Sequence, residues 1–133
     1  MKKVSFLIII GLLFNFSCKK ESVDANNLLT GEWRWVSSTG GIAGVTITPA
    51  SAGYERILLL TSDSKYSRYN NNVLEKTGTF EIIKAKSIYK IELVDFIKYD
   101  DGIRSVINVT GNELSLADNN YDGFGETFKR YIK

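Results

Sequence analysis

Tyr54-Glu55-Arg56-Ile57-Leu58-Leu59-Leu60-Thr61-Ser62-Asp63-Ser64-Lys65-Tyr66-Ser67-Arg68-Tyr69 is the stretch that sets the architecture. Tyr54 to Thr61 is a dense run of β-favouring residues, and Lys65 to Tyr69 forms the return strand. Ser62-Asp63-Ser64 between them has the short polar side chains that stabilise a tight turn. The stretch predicts a β-hairpin.

The same grammar continues in both directions. Downstream, Val73–Lys84 carries Gly78, Phe80 and Ile82 on one face, and Ile88–Tyr99 puts Tyr89, Ile91, Leu93, Ile97 and Tyr99 in phase. Ile103–Val109, Leu114–Ala117 and Phe124–Ile132 follow. Turn formers separate them: Asn70-Asn71-Asn72, Asp100-Asp101-Gly102, Gly111-Asn112, and Asp118 to Gly123. Upstream, Trp33 and Trp35 share one face of a first strand, with Glu32, Arg34 and Val36 on the other. Sustained helical periodicity is absent. Eight strands in consecutive hairpins predict an all-β, antiparallel up-and-down meander, which removes its edges by closing into a barrel. A two-sheet sandwich is the competing arrangement.

The amino terminus reads as an export signal rather than as part of the fold. Lys2 and Lys3 precede an apolar run from Val4 to Phe16, shorter than the ~20 residues needed to span a bilayer core. Cys18, the one cysteine, follows Ser17 at the end of that run. This resembles a bacterial lipoprotein signal, in which the cysteine becomes the first residue and carries acyl chains such as palmitate; Asn15 stands where that motif usually has an aliphatic residue. The expected organisation is residues 1–17 as signal, 18–27 as lipidated cysteine and polar tether, and 28–133 as barrel. Several acyl chains on one cysteine give durable anchoring. The implied place is the cell envelope, at the outer membrane, with periplasmic and surface display both open.

Composition narrows the function classes. The chain holds 17 basic and 15 acidic side chains, and removal of Lys2 and Lys3 with the signal balances the two signs. A neutral domain without a basic stripe argues against nucleic acid. There is no histidine, so the commonest metal ligand and general base are missing, and no nucleophile–base pair can be assembled. A monomeric, cofactor-free, non-enzymatic protein is expected.

Three places resemble the lipocalin family, especially the small lipocalin-like lipoproteins of Bacteroidetes-type bacteria. Gly31-Glu32-Trp33 matches the G-x-W of the first lipocalin strand, and Arg130 in Thr127-Phe128-Lys129-Arg130-Tyr131 matches the basic residue of the last. Leu60–Tyr66 and Tyr121-Asp122-Gly123-Phe124 are similar to hairpins of the short lipoprotein group. The resemblance implies that Trp33 plugs one end of the barrel with Arg130 over its ring, a structural closure shared with Gly31. It also implies a small hydrophobic ligand inside the barrel. The chain is shorter than a typical secreted lipocalin and shows no carboxy-terminal helix.

Trp35, Tyr66, Phe80, Ile82, Ile91, Leu93, Asp95, Ile107 and Phe128 are the expected interior, as a ligand pocket or as a packed core. Asp95, mid-strand among apolar neighbours, needs a partner if buried, and Arg104 or Arg68 would supply it. Ser37 to Gly53, glycine-rich but carrying Ile42, Val45 and Ile47, reads as a lid over the mouth or as a connection packed on its rim. Asp118 to Gly123 begins like a calcium loop, but Lys129 stands where the bidentate glutamate belongs, so a hairpin turn is the stronger reading. The remaining aspartates sit in turns. The rival to a ligand carrier is a packed barrel that contacts a partner protein or envelope polymer through its loops.

Overall fold

The hairpin at Tyr54–Tyr69 is present as β3 (Arg56–Leu60) and β4 (Lys65–Asn70), with Leu58 opposite Arg68 and Leu60 opposite Tyr66. Its turn is built by side chains: the Thr61 hydroxyl accepts from the Lys65 amide, and Ser64 takes a left-handed φ of 61°. The computed structural model describes residues 25–133, so the expected signal and Cys18 lie outside the described residues.

From β4 the chain runs as a meander through β5 (Val73–Ser87), β6 (Lys90–Tyr99), β7 (Arg104–Thr110), β8 (Glu113–Ala117) and β9 (Phe124–Arg130). Each strand pairs antiparallel with the next. Strand β1 (Gly31–Gly40) pairs with β3 on one edge and with β9 on the other, from Trp33 opposite Arg130 to Gly40 opposite Phe124. The eight strands therefore close into a lipocalin-like antiparallel barrel. The sandwich alternative is excluded by the β1–β9 ladder.

Closure needs one irregularity. The β1–β9 register shifts between Trp35 and Ser37, a bulge that re-aims the side chains beyond it. Trp33, Trp35 and Ser38 all face inward as a result, and all are buried. Around them the core is Leu58 and Leu60, Tyr66, Phe80, Ile97 and Tyr99, Ile107, Leu114 and Leu116, and Phe128. These are alternate residues of every barrel strand, as a filled small barrel requires.

Three expectations are corrected. The tether does not run to Asn27: Ala25–Leu29 forms a helical turn, α1, because Leu29 can be buried beneath the barrel. Ser37–Gly53 is not one loop. It holds the end of β1, a short strand β2 (Val45–Ile47) on the same edge of β1 as β3, and a helical turn α2 (Pro49–Ala52) capped by Thr48. Ile47, Ala52 and Tyr54 pack on the core, so the segment is a rim connection, with Ile42 and Val45 left exposed. Lastly, Ile91 and Leu93 are not interior; they are 97% and 56% exposed. The reason is that β6 pairs with β7 only from Phe96 to Lys98, and its first half departs from the barrel wall.

The β6–β7 turn is pinned back onto β5. Lys76 pairs with Asp101, while the Asp100 carboxylate accepts from the Thr79 amide at 3.1 Å. The Lys76 ammonium beside it holds the Asp101 carboxyl below its ordinary value of 3.8. A carboxyl depressed on folding stabilises the native state above its unfolded pKa and loses that contribution as pH falls through the lower, folded value. Asp101→Asn is therefore expected to be less stable than the parent at neutral pH and, when each acid-unfolding curve from circular dichroism is scaled to its own neutral-pH stability, to lose less of it as pH falls. Identical scaled curves would show that the pair contributes nothing.

Candidate functional site

The barrel has one end sealed by hydrogen-bonded groups. Arg130 lies 4.2 Å from the centre of the Trp33 ring and donates to the carbonyls of Leu28 and Thr30. The Trp33 indole N–H donates to the Leu29 carbonyl at 2.7 Å. Gly31 has a φ of 145°, and a Cβ there would stand 2.7 Å from an Arg130 nitrogen. Glycine is required, which gives the Gly31-x-Trp33 spacing its physical meaning. Gly31, Trp33 and Arg130 are closure residues, with the indole N–H and both terminal guanidinium nitrogens engaged by backbone carbonyls.

The opposite end is built differently. There β1 and β3, the end of β4 and the start of β9 bring Ser38, Arg56, Arg68 and Glu126 to the inner face. Arg56 pairs with Glu126 at 2.8 Å and donates to the Ser38 hydroxyl at 3.0 Å. Ser38 also accepts from the Trp35 indole at 3.0 Å. The Arg56 guanidinium lies 4.1 Å from the Trp35 ring centre, and Tyr54 stacks on Trp35 with centroids 5.7 Å apart. The ion pair is only partly shielded, at 31% and 29% exposure, so its attraction is weakened by water.

Arg68 has no close ion pair, although the charge of Glu126 reaches it from longer range. Among the described residues no carboxylate lies within 4.0 Å of it; it sits 4.6 Å from the centre of the Tyr99 ring and 5.5 Å from that of Tyr66. The Tyr99 hydroxyl is buried, and among the described residues its proton has no acceptor. Burial pushes that phenol up more than the neighbouring Arg68 pulls it down, so it keeps its proton. Beside Arg68 lies a cavity of about 140 Å³, lined by Leu58, Leu116 and Phe128 together with Arg56, Arg68, Glu126, Ile57, Tyr69 and Glu75; Tyr66 and Tyr99 contact Arg68 but are not part of this lining.

A second feature opens through the side of the barrel. Where β6 leaves β7, the tip of the β5–β6 hairpin is tied to the β8–β9 loop. Asn119 Oδ1 accepts from the Ser87 hydroxyl and the Ile88 amide, and the Tyr89 hydroxyl donates to the Asn120 carbonyl. A groove of about 390 Å³ runs beneath the hairpin, lined among others by Leu93, Val94, Val106 and Ala117. A smaller hollow of about 120 Å³ next to it is partly filled by Leu28 and Leu29.

The expected site residues therefore separate. Trp35, Tyr66, Phe80, Ile107 and Phe128 are interior, and Ile82 is partly buried against them. Ile91 and Leu93 are outside. Asp95 borders the side opening and pairs with Lys84 at 2.7 Å, not with Arg104 or Arg68. Lys84 stands directly across from it in the β5–β6 register, whereas Arg104 lies over Phe96 and Arg68 over Tyr99. In the Asp118–Gly123 loop, Asp118 accepts from the Phe124 amide at 3.0 Å and Asn119 is engaged by the hairpin tip, the arrangement of a turn.

Arg56, Arg68 and Glu126 are the residues that sequence reasoning missed. Their signal was phase: Arg56 alternates with Leu58 and Leu60, Arg68 with Tyr66, and Glu126 with Phe128. Compared with models of known protein families, with curated proteins and with solved structures, the chain matches none.

Proposed function

We propose that this chain is a membrane-anchored, lipocalin-like lipoprotein, acylated at Cys18 in the cell envelope, whose barrel binds a small molecule at the end opposite Trp33. The observation that carries this reading is the unfilled space at that end. About 140 Å³ is open there between Leu58, Leu116, Phe128 and the two arginines, and this is the space that combines an apolar wall with cationic side chains. A cavity of ~150 Å³ is enough to hold benzene, so the ligand is small, with an apolar body no larger than about one ring. A long acyl chain does not fit. Binding without chemical turnover suits a site of fixed cations and phenols that presents no nucleophile beside a base.

A second reading, an interaction lipoprotein that works through its surface, is favoured by one observation. Ile91, Leu93 and Tyr89 on the departing hairpin lie beside the loop bearing Tyr121, and all four are exposed. Mass spectrometry separates the two. The full chain, extracted from its native envelope in a non-ionic detergent, is expected to carry a stoichiometric small molecule under native conditions and an acylated Cys18 in its intact mass. Repeated absence of any small bound species, together with a co-purifying protein, would favour the surface reading. A cysteine without acyl chains would remove the anchor.

A further inference from the structure

We infer that the molecule held in the open-end cavity is a small monoanion, a carboxylate on a compact apolar body, with Arg68 as its counter-charge. This rests on the ligand-binding reading above and adds the chemical class of the ligand.

The argument begins with which charges are already matched. Arg56 is committed to Glu126 at 2.8 Å and to Ser38 at 3.0 Å. Glu126 is thereby engaged on the far side of the cavity from Arg68's own strand. Arg68 is half-buried on the inner face of β4, and its neighbours are the faces of Tyr99 and Tyr66 rather than an acid. A ring face attracts a cation but accepts no hydrogen bond from the guanidinium edge, so the planar donors of Arg68 have a vacancy suited to a carboxylate.

Beside it is a second donor with nothing to donate to. The Tyr99 hydroxyl is buried and protonated, and among the described residues its proton has no acceptor. A buried donor left unmade is unusual in a folded protein. The phenol oxygen is itself a hydrogen-bond partner for Arg68, so the vacancy lies with the remaining guanidinium donors that line the cavity, and these call for an acceptor with negative charge. Leu58, Leu116 and Phe128 then form the wall for the apolar part.

The other charges at the cavity limit the ligand to one negative charge. Glu126 lines the cavity, and Glu75 stands at its exposed edge, held by the Asn70 amide at 3.0 Å. A second anionic group would face one or both carboxylates. Dicarboxylates and phosphate esters are disfavoured for that reason.

The test uses the full chain in a non-ionic maltoside detergent, titrated calorimetrically with benzoate, with benzamide as the neutral analogue of the same shape, and with phthalate as the dianion. Benzoate is expected to bind one-to-one, roughly ten- to a hundredfold more tightly than benzamide, the range for a charge-assisted pair. Phthalate is expected to bind more weakly than benzoate. Arg68→Met is expected to bring benzoate down to the benzamide level. Tyr99→Phe, which keeps the ring and removes the hydroxyl beside Arg68, is expected to weaken benzoate several-fold through the positioning of Arg68 and to leave benzamide unchanged.

Equal affinity for benzoate and benzamide, or phthalate binding as well as benzoate, would overturn the monoanion inference while leaving a ligand-binding cavity in place. Binding of none of the three probes to the folded chain would remove both. If Arg68→Met does not fold, the benzoate–benzamide comparison and Tyr99→Phe decide the matter without it.

Discussion

Replacing Trp33 with alanine is expected to lower the stability of the barrel by about 3–5 kcal/mol, the range for deleting a fully buried large aromatic. Trp33 is completely buried and is the floor of the sealed end. Its loss opens a void between α1, the start of β1 and the end of β9, and it strands the Arg130 guanidinium over an empty space. Arg130→Ala is expected to cost less, about 1–3 kcal/mol, because it removes the donors to Leu28 and Thr30 but leaves the ring packed. The two losses are not independent. In the double variant the guanidinium–indole contact can be lost only once, so the combined loss should fall short of the sum by about 0.5–2 kcal/mol. Urea unfolding of the four proteins in the cycle measures this directly. Strict additivity would mean that the ring and the guanidinium do not support each other.

The second large effect comes from a residue with no side chain. Gly40, the last residue of β1, lies opposite Phe124 of β9, and a Cβ at Gly40 would stand 2.2 Å from the Gly123 carbonyl oxygen and 2.7 Å from the Phe124 Cα. Both neighbours are backbone, which cannot rotate away. Gly40→Ala must therefore push β1 and β9 apart at the open end, at a cost of about 1–3 kcal/mol or somewhat more. The expected signature is spatially uneven. Amide exchange should accelerate at Thr39, Gly41 and Phe124, while protection at Trp33 and Arg130 is retained. Uniform loss of protection, or none, would contradict this placement of strain.

The strands were legible because a barrel strand has one wet and one dry face, and each of the eight shows that alternation between turn formers. The closure was anticipated from the resemblance carried by Gly31, Trp33 and Arg130, and the β1–β9 ladder places Trp33 opposite Arg130 with the guanidinium over its ring. What was not legible has two physical causes. Alternation reports the two faces of a strand, not whether a neighbour continues the sheet beside it. Tyr89, Ile91 and Leu93 keep the phase of Ile97 and Tyr99, yet β6 has left β7 before it reaches them. Nothing in the structure explains an isoleucine at the exposed position 91. The second cause is that charge suggests solvent. Arg56, Arg68 and Glu126 occupy inward positions because at the open end they meet one another, Ser38 and two tyrosines instead of hydrocarbon. The apolar interior anticipated from the sequence is real toward the sealed end and gives way to polar groups at the open one.

That division of labour within one small barrel underlies the functional reading. In the reading proposed above, the sealed end supplies rigidity and the open end, where Arg68 has no ion pair, supplies recognition. A scaffold that fixes donors in advance loses little ordering entropy when a ligand arrives. The bulge after Trp35 links the two halves, since it turns Ser38 inward to anchor Arg56 and so leaves Arg68 without a close ion pair.

The most direct measurement follows the Nε–Hε resonance of Arg68 by NMR in the full, detergent-solubilised chain while benzoate is added. A saturable downfield shift at Arg68, with Arg104 and Arg130 unmoved, is the predicted result. An Arg68 signal that stays still, while Leu93, Val94 and Asn108 beneath the side hairpin respond, would place the ligand in the groove and contradict the account.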